Sequence, residues 1–85
     1  MKNNPKPLDY YNFDNLVANT KERIKRTEQG KEFIIADLFN EDNWYITPLP
    51  IRMKLGKVIS DYNEEANILI VLDKDHDGCQ RYRKK

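Results

Sequence analysis

The sequence predicts a single α+β domain, and three observations carry that prediction. Two stretches, from about Asp9–Asp14 to about Glu28 and from near Pro48 to near Tyr62, repeat apolar residues at three- and four-residue steps, the period of a helix with one buried side. Short β-prone runs follow each of them, at Lys31–Ile35 and Ile68–Leu72. The chain has 85 residues, enough for one modest core, since a domain of this size buries only about 60–65% of the surface its unfolded chain exposes.

The elements follow in order. Residues 1–8 hold two prolines, two asparagines and two lysines, and are expected to form a loose leader to a domain at 9–85. On helix one, Phe13, Leu16, Val17, Thr20, Ile24 and Thr27 make the apolar side, opposite Lys21, Glu22, Lys25 and Arg26. Gly30 fits the left-handed position just past a helix end. Phe33, Ile34 and Ile35 give the first strand. ADLF (36–39) is expected to open a short second helix, with Asp37 near its positive end and Leu38 and Phe39 inward. NEDNWYITPLP then reads as a polar connection anchored by Trp44. Thr47 is the expected N-cap of helix three, because prolines are tolerated in a first turn. Ile51, Leu55, Val58, Ile59 and Tyr62 fall on its buried arc, and Met53, Lys54, Gly56, Lys57 and Ser60 on the opposite one. Ile68–Leu72 and Gln80–Lys84 are expected to pair as a hairpin. The order helix, strand, helix, helix, two-stranded hairpin is that of a winged helix-turn-helix, in which helix three holds the recognition position.

Composition excludes several classes. Mean hydropathy is −0.88 and 34% of residues are charged. The longest apolar run is far short of the roughly 20 residues of a membrane span, and the N-terminus lacks the apolar stretch of a signal peptide. One cysteine, Cys79, allows no internal disulfide, consistent with a cytoplasmic setting. The formal net charge is +1, but the charges segregate. Cations gather at Lys21–Lys31, Arg52–Lys57 and Arg81–Lys85; acids gather at Asp37–Asp42, Asp61–Glu65 and Asp73–Asp77. Such segregation builds a basic face on a nearly neutral protein.

DKDHDG (73–78) resembles the opening of a calcium-binding EF-hand loop. The twelfth position from Asp73 is Lys84 rather than a bidentate carboxylate, and the run is entered from a strand pattern. A hairpin turn is the expected reading, with Asp-Gly supplying the turn pair. His76 has no cysteine or histidine cluster for zinc. Cys79 has no triad around it and is expected to be an ordinary strand residue. There is no glycine-rich phosphate loop, so no enzyme is expected. Gly56 inside helix three costs about 1 kcal/mol against alanine; it serves either close helix packing or close approach of a ligand backbone. Tyr82, between Arg81 and Arg83, either stacks on a base or packs inward; Tyr10, Tyr11, Trp44 and Tyr45 face the same choice.

The order EFIIADLF, a lone Trp44, IRMKLGKVI and a hairpin ending QRYRKK resembles a family of small proteins of formerly unknown function, carried by staphylococcal cassette chromosome elements and related mobile DNA. The likeness covers about Phe13 to Lys85. It is strongest at Phe33, Asp37-Leu38-Phe39, Trp44, Arg52, Leu55-Gly56-Lys57 and the basic C-terminus. The resemblance implies a compact winged helix that binds single-stranded DNA and, for some relatives, action beside a polymerase of the same element. It carries over no particular DNA-contacting residue. Lys57 stands where relatives often have arginine, which keeps the charge but not the bidentate geometry.

The resulting expectation is a non-enzymatic, sequence-tolerant single-stranded DNA-binding protein serving replication or transfer of a mobile genetic element. Arg52, Lys54 and Lys57 of helix three and Arg81, Arg83, Lys84 and Lys85 of the hairpin are expected to meet phosphates. Lys21, Lys25 and Arg26 extend that track or serve a neighbouring protomer, and Tyr82 is the candidate for stacking on a base. The expected partners are single-stranded DNA, further copies of the chain along it, and a polymerase or helicase of the same element; no cofactor, metal or membrane is expected. Two alternatives stand beside this one. The first is a duplex-DNA transcriptional regulator, disfavoured because Met53, Lys54, Lys57 and Ser60 include no arginine, asparagine or glutamine to read base edges. The second is a protein-interaction module, such as a polymerase accessory subunit, marked by an exposed apolar patch around Trp44, Tyr45 and Ile46.

Overall fold

In the computed structural model, residues 12–39 and 41–85 are described. The expected leader, the start of helix one near Asp9, and Tyr10 and Tyr11 lie outside them. Helix α1 (Phe13–Arg26) opens on Asn12, whose side chain accepts from the Asn15 backbone N–H at 2.7 Å. That bond satisfies one of the orphan donors every helix start leaves. Leu16, Thr20 and Ile24 form its buried stripe, and the Thr20 hydroxyl donates to the Leu16 carbonyl at 2.7 Å. The helix stops before Glu28, with Thr27 as its extended C-cap. Gly30 does have a left-handed backbone, φ +87°, but in the turn that follows rather than at the helix end.

Strand β1 is only Glu32–Phe33. ADLF does not open an α-helix: Ile35–Leu38 is a 3-10 helix, tightened by Asp37, whose carboxylate accepts from the Ile34 N–H at 3.0 Å. The expected polar connection holds a short helix of its own, α2 (Glu41–Ile46), which buries Trp44. Helix α3 (Leu49–Ala66) follows, with Pro48 at its N-cap. Thr47 does not cap it. Its side chain is buried, and its hydroxyl donates back to the Asn43 carbonyl at 2.7 Å, closing α2 instead.

Helix α3 runs four residues past Tyr62 and ends at left-handed Asn67, φ 52°. Asn63 fixes that end. Its amide nitrogen donates to the Leu69 carbonyl, and its oxygen accepts from the Ile68 and Leu69 N–H groups. Strand β2 (Leu69–Val71) and strand β3 (Tyr82–Lys84) are shorter than expected, and Cys79 falls in the loop between them rather than in a strand.

The sheet is antiparallel with strand order β1-β3-β2. Phe33 stands opposite Tyr82, and Val71 opposite Tyr82 on the other side. The Phe33 and Tyr82 rings, 5.8 Å between centroids, lie in one core with Leu16, Ile24, Leu55, Ile59 and Leu69. The result is an α+β fold with helices on one side of a small three-stranded sheet, a connectivity compatible with a winged helix. No helix among the described residues is long and apolar enough to cross a membrane.

Candidate nucleic-acid interface

Helices α1 and α3 meet along a seam closed by two reciprocal contacts. The Lys21 ammonium of α1 lies 4.8 Å from the Tyr62 ring centroid on α3, and the Lys54 ammonium of α3 lies 4.4 Å from the Phe13 ring centroid on α1. Cation–π contacts of this kind hold a side chain in place without cancelling its charge. Lys25 sits one turn beyond Lys21 on α1, exposed. Lys57 sits one turn beyond Lys54, and its ammonium lies 3.8 Å from the Asp61 carboxylate. Among the described residues, Asp61 is the one acid within ion-pair reach of these four lysines. The seam thus fixes Lys54 beside Phe13 and Lys21 beside Tyr62, two points eight residues, or about 12 Å, apart along each helix. Arg26 is instead occupied, paired with Glu22 at 3.2 Å.

The hairpin cations behave differently. Arg81 and Arg83 point to the same sheet face, and each meets one oxygen of Glu32 at 2.9 Å. The Arg83 and Arg81 hydrogen bonds hold the Glu32 carboxyl below its ordinary range. The Lys84 ammonium donates to the Thr27 and Lys25 carbonyls at 3.2 and 3.4 Å, where the negative end of the α1 dipole favours a cation. Lys85 donates to the Asn67 side-chain oxygen. The expected track of Arg81, Arg83, Lys84 and Lys85 is therefore largely engaged within the fold. Tyr82 requires a correction: it is only 4% exposed, because the residue between two outward arginines must face inward in a strand. It is a core residue and no stacking platform, and burial raises its hydroxyl pKa.

Arg52 belongs to a third environment. Its Nε donates to the Thr47 carbonyl at 3.1 Å, and its guanidinium lies 5.8 Å from the Trp44 ring centroid. It borders a mainly apolar groove of about 320 Å³ between α3 and the β2–β3 loop, lined by Trp44, Leu49, Met53, Gly56, Lys74 and Cys79 among others. An added Cβ at Gly56 would meet nothing within 4 Å, so close helix packing is not what glycine serves there. Burial, then Asp75 and Asp77, raise the Cys79 thiol pKa, opposite to the shift that activates a nucleophile.

The DKDHDG stretch folds onto its own backbone. The Asp75 carboxylate accepts from the Asp77 and Cys79 N–H groups, both at 2.9 Å, and Gly78 supplies the positive φ of +82°. Only the glycine of the Asp-Gly pair is left-handed. Among the described residues no group of three or more histidines, cysteines, aspartates and glutamates is placed to hold a metal ion.

Two participants escaped the sequence reading. Lys74 lines the groove, but its acidic neighbours hid it within a run that looks negative. Leu49 is 57% exposed at the mouth of the groove, and nothing in the helical period marks it as more than a first-turn residue.

No curated protein and no solved structure matches the chain. A family model described as Domain of unknown function (DUF1413) matches residues 18–84, from within α1 through the last residue of β3. With that match over most of its length, the chain belongs to the DUF1413 family.

Proposed function

We propose that this protein is a non-enzymatic, sequence-tolerant single-stranded DNA-binding protein built on a winged helix, with the exposed arc of α3 as its principal contact surface. One observation carries the reading. From Leu49 to Ser60, α3 has three cations and no acid. At about 100° per residue, Arg52 and Lys54 bound its exposed arc, with Gly56, Ser60, Met53 and Lys57 between them and Asp61, paired with Lys57, following one turn on. A flexible anionic strand crossing that arc meets cations at both borders and at Lys57, with the small Gly56 and Ser60 between them. The same residues do not favour duplex readout, because none of the exposed ones between the borders forks onto a base edge.

Lys21 and Lys25 continue the cationic surface across the α1 seam. A domain with so few phosphate contacts binds weakly alone, which favours several copies along one strand. Service in replication or transfer of a mobile element, beside a polymerase or helicase, rests on the family resemblance of the sequence. The test is fluorescence anisotropy with matched single-stranded and duplex probes at two salt concentrations. Tighter binding of the single strand, weakening with salt by about 0.7 in log–log slope per contact, is the expected result; equal or better duplex binding overturns it.

A second reading has its own support. Tyr45 and Ile46 are 62% and 46% exposed beside Leu49, an apolar patch at the α2–α3 elbow of the kind that marks protein contacts. A pull-down that survives nuclease treatment and is lost in Tyr45→Ser with Ile46→Ser favours this second reading.

A further inference from the structure

We infer that the groove between α3 and the β2–β3 loop is a nucleotide subsite, taking one unpaired base on its apolar floor while Arg52 takes the adjoining phosphate. This rests on the single-strand reading above and specifies how that strand is held.

Arg52 is pre-positioned. The bond from Nε to the Thr47 carbonyl and the Trp44 ring beside it fix the guanidinium, while its two terminal nitrogens have no acceptor among the described residues. A planar fork held in this way suits a phosphate, which it engages through two parallel hydrogen bonds. Fixing the fork beforehand also removes the entropy cost of ordering it on binding.

The groove beside the fork is chemically matched to a base. At about 320 Å³ it lies at the small end of ligand sites, room for one base with its sugar. Ile34, Trp44 and Leu49 contribute to its apolar lining, and Met53 gives a flexible wall. Lys74 faces Arg52's helix from the loop, and Asp77 is the one acid in the lining, so Arg52, Lys74 and Asp77 sum to a net positive charge. Gly56 lies on the same wall with open space above it. A glycine there destabilises the helix, and no packing neighbour requires it; a close approach by a sugar-phosphate backbone does. A stacked, paired base cannot leave its duplex to enter a recess of this shape at low cost. The subsite therefore supplies a physical reason for single-strand preference that surface lysines alone do not. An acidic peptide would also find the arginine. The strand is favoured because the groove adjoins the exposed arc of α3, where Asp61, beside Lys57, is the one acid within ion-pair reach of Lys54 and Lys57 among the described residues.

Cys79, the only cysteine of the chain, lines this groove and serves as a built-in reporter. The experiment measures its alkylation by iodoacetamide in the full chain, with anisotropy run in parallel. The probes are an oligothymidylate, the same oligonucleotide carrying abasic sites, and a Glu/Tyr peptide. At ten times its Kd the intact strand is expected to slow alkylation by about tenfold. The abasic strand, which keeps every phosphate, should bind roughly tenfold more weakly, the scale of one lost base contact, and leave Cys79 unprotected even when saturating. Gly56→Leu, which projects into the groove from a helix position where an added Cβ meets open space, should abolish protection, while Gly56→Ala keeps it. Arg52→Lys should weaken the intact strand more than the abasic one.

An intact strand that binds while Cys79 reacts at its free rate overturns the subsite and leaves the single-strand reading standing. So does equal protection by the abasic strand. Protection by the peptide and not by the strand overturns it in favour of protein docking. Failure of every strand to bind removes the single-strand reading itself, and the subsite with it.

Discussion

In the C-terminal run, Arg81 just before β3 and Arg83 within it each reach an oxygen of Glu32 at 2.9 Å; on helix α3, Arg52, Lys54 and Lys57 meet one carboxylate among them, Asp61, at 3.8 Å. In the linear chain the C-terminal run is the more strongly basic of the two. In the folded chain it is the more neutralised, because β1 delivers Glu32 from 49 and 51 residues away. Basic composition is a local property, whereas available charge is a tertiary one. The α1–α3 seam reinforces the point. There Lys21 and Lys54 are held against aromatic rings instead, and they keep their charge.

The contrast is open to direct attack. Lys54→Glu with Lys57→Glu should abolish measurable single-strand binding by anisotropy while the far-UV circular dichroism stays unchanged; retained affinity breaks the assignment of α3 as the contact surface. A smaller effect is expected from Glu32→Gln, which releases two arginines. Affinity should rise a few-fold at low salt, with the salt slope steepening by about 0.7 for each arginine that gains a phosphate. Arg81→Gln with Arg83→Gln in the wild-type background should change affinity by less than about threefold, since those side chains are already committed; a large loss would show that the strand displaces Glu32.

Acid titration tests the clamp without any ligand. The Glu32 carboxyl titrates below its ordinary value of 4.5 in the fold. Its contribution to stability is therefore present above that value and disappears as pH falls through the lowered one. The difference in melting temperature between wild type and Glu32→Gln should shrink as the buffer is taken below about pH 4.5; a difference constant with pH removes the clamp. The smallest effect belongs to Gly56→Ala, expected to stabilise the chain by up to about 1 kcal/mol in urea denaturation, because the added methyl meets open space.

Much of the framework was legible. The three- and four-residue apolar spacing located α1 and α3, and Ile24, Leu55 and Ile59 are the fully buried residues that spacing implies. The hairpin, too, followed from a strong strand pattern and a turn sequence. Helix α2 was not legible, since six residues, EDNWYI, allow no repeat of a period, and its closure depends on the buried Thr47 hydroxyl rather than on propensity. For Tyr82 the local sequence supports both orientations, and only register against Phe33 across the sheet turns it inward. The exposure of Lys54 and Lys57 was readable from the period of α3, and the acid beside Lys57 is on its own helix. The pairing of Arg81 and Arg83 was not, because it depends on a strand far away in sequence.

Asn63 has an effect beyond fixing the end of α3. Alternation along an antiparallel strand turns the backbone groups of Leu69 and Val71 toward the open side of β2, and one asparagine amide occupies both of those at Leu69. A strand from another molecule therefore finds little more than Val71 to zip onto. Copies crowded together, as the proposed assembly along a single strand would require, are thereby kept from polymerising through this sheet edge.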